Sequence, residues 1–127
     1  MLLPIVDGIE IIEEDTGNII IFNFYTWIEV IKGVMVEYAH LSPLEACDKV
    51  MASALVQNQS DNYASIALNA HDTEYHWAML LAYGELYWHK GISAEEPDEY
   101  VCWELRFRSA RGLAKDSFVF TDIFVAH

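Results

Sequence analysis

The chain has 127 residues, 54% hydrophobic and 13% aromatic, which is enough for one hydrophobic core and too apolar for a disordered segment. Seven Lys and Arg stand against twenty Asp and Glu, a formal charge of −13. That argues against direct binding to nucleic acid or to anionic membrane, both of which rest on concentrated positive charge. The charge is also uneven. Before Arg106, three Lys face eighteen acids, a balance of −15, whereas from Arg106 onward four cations face two acids, a balance of +2.

No run reaches the roughly 20 apolar residues of a membrane helix. The start, Met1-Leu2-Leu3-Pro4, has no basic segment and does not read as a secretory signal. Cys47 and Cys102 are therefore expected to be reduced thiols, and the expected compartment is the cytosol. The expected organisation is a single domain over residues 1–127.

In chain order, residues 5–12 and 19–24 are rich in Ile, Val and Phe and flank Glu13-Glu14-Asp15-Thr16-Gly17-Asn18, the pattern of a β-hairpin with an acidic loop. Residues 25–39 fit either a helical stripe or a second hairpin about Lys32-Gly33. The alternation of the β-branched Ile28, Val30, Val34 and Val36 about this glycine favours strands. Ser42-Pro43-Leu44-Glu45 places a capping Ser, a Pro at the first helical position and a Glu three residues after the cap. It predicts a helix to about Gln57 with Leu44, Cys47, Met51, Ala54 and Leu55 as its apolar stripe, so that Cys47 is a core thiol.

After a loop at 58–62, Tyr63 to Ala70 reads as helix. His71-Asp72-Thr73 breaks it, and Asp72 or Thr73 caps a further helix that Gly84 stops. Residues 85–92 read as a strand and 93–99 as an acidic loop. From Val101 to Arg108, apolar and polar residues alternate, which predicts a strand with Val101, Trp103, Leu105 and Phe107 inside and Cys102, Glu104, Arg106 and Arg108 outside. Phe118 to Val125 reads as the last strand. The expected class is α+β, an antiparallel sheet of about five to seven strands with two or three helices.

Candidate chemistry is sparse. His71, Glu74 and His76 suggest a metal cluster, but the two His are five residues apart, and on one helix their rings diverge by roughly 140°. Two ordinary polar residues near a helix start are the better reading. No glycine-rich phosphate loop and no nucleophile elbow is present in the sequence. No catalytic residue, metal or cofactor is therefore expected.

The remaining feature is the acid surplus, which exceeds what solubility needs and destabilises the compact state by self-repulsion. It points to a binding protein whose field steers a basic partner. The expectation is an inhibitor, most simply a bacterial immunity protein that masks the cleft of a nuclease-like toxin. Its partner-binding residues would be Glu13, Glu14, Asp15, Glu85, Glu95, Glu96, Asp98 and Glu99, aided by Glu104, with Tyr100 or Trp88 as the exposed aromatic anchor. The alternative is a small enzyme or ligand-binding domain with a pocket near His71, Glu74 and His76, and a third reading is a homodimeric scaffold.

Overall fold

In the computed structural model, which describes residues 3–121, the first two β-branched runs form the expected hairpin. Strand β1 (Ile9–Ile12) pairs antiparallel with β2 (Ile19–Phe22), Ile9 opposite Phe22 and Ile12 opposite Ile19. Strand β3 (Phe118–Thr121) pairs with the other side of β2, Phe22 opposite Phe118, so β2 is central. The expected continuation to Val125 lies outside the described residues. Side chains alternate across a strand, and the inward set Ile11, Ile20 and Phe22 is fully buried.

The class is α+β, but its proportions are not those expected. Among the described residues the sheet has three strands, not five to seven, and there are six helices, not two or three. The helices are α1 (Phe24–Tyr38), α2 (Pro43–Ala52), α3 (Ala54–Gln57), α4 (Tyr63–His71), α5 (Glu74–Tyr83) and α6 (Tyr100–Ala110).

Three segments account for the difference. Residues 24–38 are helix throughout, not a hairpin, and α1 packs against α2, α5 and α6 as the central element. Burying Phe24, Trp27, Ile28, Val30, Ile31, Val34 and Met35 outweighs the few tenths of a kcal/mol that each β-branched residue costs in a helix. Residues 100–110 are also helix. The period used is four: Trp103 and Phe107 lie toward α1, Tyr100 and Arg108 are buried, and Val101 and Leu105 are exposed at 60% and 55%. The alternation that suggested a strand is incidental. Finally, Tyr87–Lys90 is a short 3-10 turn, because Leu86 and Gly91 on either side adopt left-handed backbone (φ 57° and 84°), which an extended strand cannot contain.

The helix boundaries read from capping residues are found in place. Ser42 Oγ accepts the Glu45 amide and Glu45 Oε1 accepts the Ser42 amide, both at 3.1 Å. Thr73 caps α5 and Gly84 (φ 91°) ends it, and Asn62, which the sequence placed only in a loop, caps α4. The apolar stripe assigned to α2 is corrected, however. The helix breaks at Ser53, its buried residues are Ala46 and Val50, and Leu44 and Met51 are exposed, so Cys47 is only half-buried.

The start of α1 is held from outside its own sequence. Asn23 precedes it without capping it; its side chain instead accepts the Gly8 amide (2.9 Å) and donates to the Asp116 carbonyl (2.8 Å). Asp7 takes the capping role, accepting the amide and hydroxyl of buried Thr26 at 2.8 and 2.7 Å. The Thr26 oxygen in turn accepts the Ala114 amide at 2.9 Å, which fixes the segment leading into β3.

Candidate protein-docking surface

The β1–β2 loop is short and tied. The Glu13 amide donates to the Asn18 carbonyl and the Gly17 amide to the Glu13 carbonyl, both at 2.8 Å, with Gly17 at φ 77°. Thr16 holds the Glu13 carboxylate through its hydroxyl, which leaves Glu14 and Asp15 exposed at the tip. Helix α4 packs on β1 and β2 and brings its own start, Asp61-Asn62-Tyr63, to this loop.

With Glu10, on the outward face of β1, these residues wall a cleft of about 780 Å³. Five carboxylates line it: Glu10, Glu13, Glu14, Asp15 and Asp61. Half-buried Tyr63 lies among them. The ion pairs among the described residues are Lys32 with Glu29 and Arg108 with Glu74 and Glu104, so none of the cleft acids is neutralised by the chain's own cations.

The sequence pointed to the loop but not to Glu10 or Asp61. Glu10 could have been read from strand alternation, since it faces away from Ile9 and Ile11. Asp61 had no local signal, because 45 residues separate it from Asp15 in the chain and only the packing of α4 joins them.

The second acidic loop lies elsewhere, between the Tyr87–Lys90 turn and the start of α6, and none of Glu95, Glu96, Asp98 or Glu99 lines the cleft. Its four acids are exposed, but they act on neighbouring groups. Desolvation and the Glu104 carboxylate push the Glu96 carboxyl above its ordinary range. Glu99 and Glu37 sit close enough to Tyr38 to raise its hydroxyl further above the value that burial alone sets. Glu85 is exposed just past Gly84 and joins neither group. The two loops are separate features, not one patch.

Tyr100 is not the exposed anchor that the sequence suggested. It is 2% exposed, and its hydroxyl donates to Glu104 Oε1 at 2.8 Å, so desolvation and the carboxylate push its pKa far up. Trp88 is exposed at 42%. Glu104 also belongs to the interior, where it and Glu74 flank Arg108 at 3.6 and 3.7 Å. Arg108, expected on a wet strand face, is buried and donates to Ser117 Oγ and the Ala114 carbonyl, both at 3.2 Å. Desolvation first, and Glu104 second, raise the Glu74 carboxyl against the opposing pull of Arg108.

The structure does not bring His71, Glu74 and His76 together. His71 is exposed at the end of α4, and His76 Nδ1 is 2.9 Å from the Tyr87 hydroxyl. Glu74 lines a cavity of about 270 Å³ with Glu104, Arg108 and Ser117. Among the described residues no three His, Cys, Asp or Glu converge as a metal site would require. Cys47 and Cys102 are both free thiols, and no described helix is long and apolar enough to cross a membrane. Compared with protein-family models, with curated proteins and with solved structures, the chain matches none.

Proposed function

We propose that this protein binds a basic protein through the acidic cleft between the β1–β2 loop and the start of α4, and that it acts as an inhibitor by covering the partner's cationic surface. The observation that carries the reading is the convergence of Glu10, Glu13, Glu14, Asp15 and Asp61 on one concavity without an internal counter-ion among the described residues. Five carboxylates around one concavity, none ion-paired among the described residues, add to one negative field, and an incoming Lys or Arg cluster is drawn to it and neutralises it. Tyr63 supplies an apolar body on which a Lys or Arg stem can lie.

Nuclease-like toxins suit the partner role, because a cleft that binds phosphate is positive, and an immunity protein occupying it excludes nucleic acid directly. Two free thiols fit action in the reducing cytosol. The test is affinity capture from the native host at low salt. The wild-type chain should retain a basic protein that elutes with salt, and a variant carrying Glu10→Gln, Glu13→Gln, Glu14→Gln, Asp15→Asn and Asp61→Asn should not. Retention of the same protein by both forms would overturn the assignment.

A further inference from the structure

The open edge of β1 runs along the acidic cleft. Glu10, Ile11 and Ile12 line the cleft on one side, and the start of α4, Asp61 to Ala64, lines it on the other. Strand β1 is the outer strand of the order β1-β2-β3, so one side of its backbone has no strand partner among the described residues.

The register decides which residues offer their backbone there. Glu13 lies one step past the Ile12–Ile19 pair, opposite Asn18, and its amide donates to the Asn18 carbonyl at 2.8 Å. Hydrogen-bonded and non-bonded pairs alternate along an antiparallel ladder. Ile11 with Ile20 and Ile9 with Phe22 are therefore bonded pairs. Glu10 and Ile12 instead turn their N–H and C=O groups away from β2, into the open edge. No backbone hydrogen bond from another segment reaches these two residues among the described residues.

Such an edge is a template for another strand unless something blunts it. Here nothing does: Ile9-Glu10-Ile11-Ile12 contains no Pro or Lys and pairs with β2 without a bulge, and Ile12 is 56% exposed. The surrounding charge selects what is added. A second copy of the chain would bring its own acids against those of the first, each copy carrying −13. A cationic strand instead sets Lys or Arg opposite Glu10, a favourable cross-strand pair.

We infer that the partner of the acidic cleft enters it as an extended segment bearing Lys or Arg, which adds to the sheet as a strand beside β1. Main-chain bonds to Glu10 and Ile12 hold the segment, and the cleft carboxylates select its charge. This mode of docking rests on the acidic cleft as the binding site.

Hydrogen exchange followed by NMR on the full chain tests it. The strand probe is a capped synthetic heptapeptide of alternating Lys and Val, and spermine is the cation without peptide groups. In the free chain the Glu10 and Ile12 amides should exchange fast and that of Ile11 slowly. The peptide, at about nine-tenths occupancy, should slow Glu10 and Ile12 about tenfold, and spermine should slow neither. Ile12→Pro removes one edge donor where proline is tolerated and keeps every carboxylate. It should bind the peptide about fivefold more weakly, the worth of one hydrogen bond, while Ile12→Thr, which keeps the amide, should bind as the wild type does.

Peptide and spermine both binding in the cleft without protection of Glu10 and Ile12 would overturn the added strand and leave the acidic cleft standing. No saturable binding of the peptide, or shifts centred away from the cleft, would overturn both. Slow exchange at Glu10 and Ile12 in the free chain that quickens on dilution would show a second copy on the edge, which also contradicts the inference.

Discussion

Gly33 and Phe107 form the contact that sets the spacing of α1 and α6: the ring of Phe107 occupies the space a side chain at position 33 would need. Trp103 stacks on Phe107 and the Arg111 guanidinium stands over it, so displacing the ring disturbs both contacts. A glycine inside a helix ordinarily costs about 1 kcal/mol relative to alanine. Here that cost is offset by the close approach it permits.

Substituting Gly33→Ala should therefore destabilise the protein by about 1–3 kcal/mol, as overpacking does, despite the better helix propensity. In a Phe107→Leu background the same change should become stabilising by up to about 1 kcal/mol. Urea unfolding of the four proteins in this cycle measures the reversal of sign. Additive effects would mean that the two residues do not press on each other.

Arg108 is a buried cation shared by Glu74 and Glu104. Replacing it with Met leaves two carboxylates without a counter-ion and should cost about 3–5 kcal/mol at neutral pH. Without the opposing pull of Arg108, the Glu74 carboxyl, already raised by burial, holds its proton more tightly still in the folded state, so lowering the pH to about 4 should restore part of the loss. Denaturant midpoints at the two pH values check this. A pH-independent loss would identify a packing defect instead.

Glu74 gives the complementary case. Its folded-state pKa is raised, chiefly by desolvation and then by Glu104. A raised carboxyl favours the fold when protonated. That stability is fully present below the unfolded value, about 4.3, and is lost as pH rises through the folded one. Glu74→Gln removes this dependence while Arg108 keeps Glu104 as partner. The stability of the variant relative to wild type should thus rise between about pH 4 and pH 7. Parallel pH profiles would show that Glu74 titrates as an ordinary surface group.

Asp7 is the outside cap of α1 through its two bonds to Thr26. Asp7→Ala should cost about 1–2 kcal/mol, and hydrogen exchange should quicken at the first turn of α1 and at the amide of Ala114, which donates to Thr26. Exchange unchanged at Ala114 would separate the cap from the segment that precedes β3.

The parts of the fold that could be read from sequence are those set by neighbours in the chain. Ser42 and Glu45 cap each other across three residues, Thr73 restarts a helix that Asp72 ends, and the hairpin is marked by its loop residues. The parts misread are set by distant packing. Ile28, Val30 and Val34 look like strand residues until Trp77 and Phe107 are brought against α1, and Val101 to Arg108 alternates by coincidence while folding with a period of four. The site follows the same division. Glu13 to Asp15 announced themselves as a loop run, whereas Asp61 joined them only through the docking of α4, and Tyr100 changed from expected anchor to buried partner of Glu104.

The most direct measurement on the cleft is the association rate with the partner captured from the host, followed across ionic strength. The wild type should associate fast at low salt and slow steeply as salt is added, because exposed charges steer over about a Debye length. Neutralising Glu10, Glu13, Glu14, Asp15 and Asp61 should flatten that slope, while neutralising Glu95, Glu96, Asp98 and Glu99 should leave most of it. If the second set flattens the slope and the first does not, the cleft is not where the partner docks.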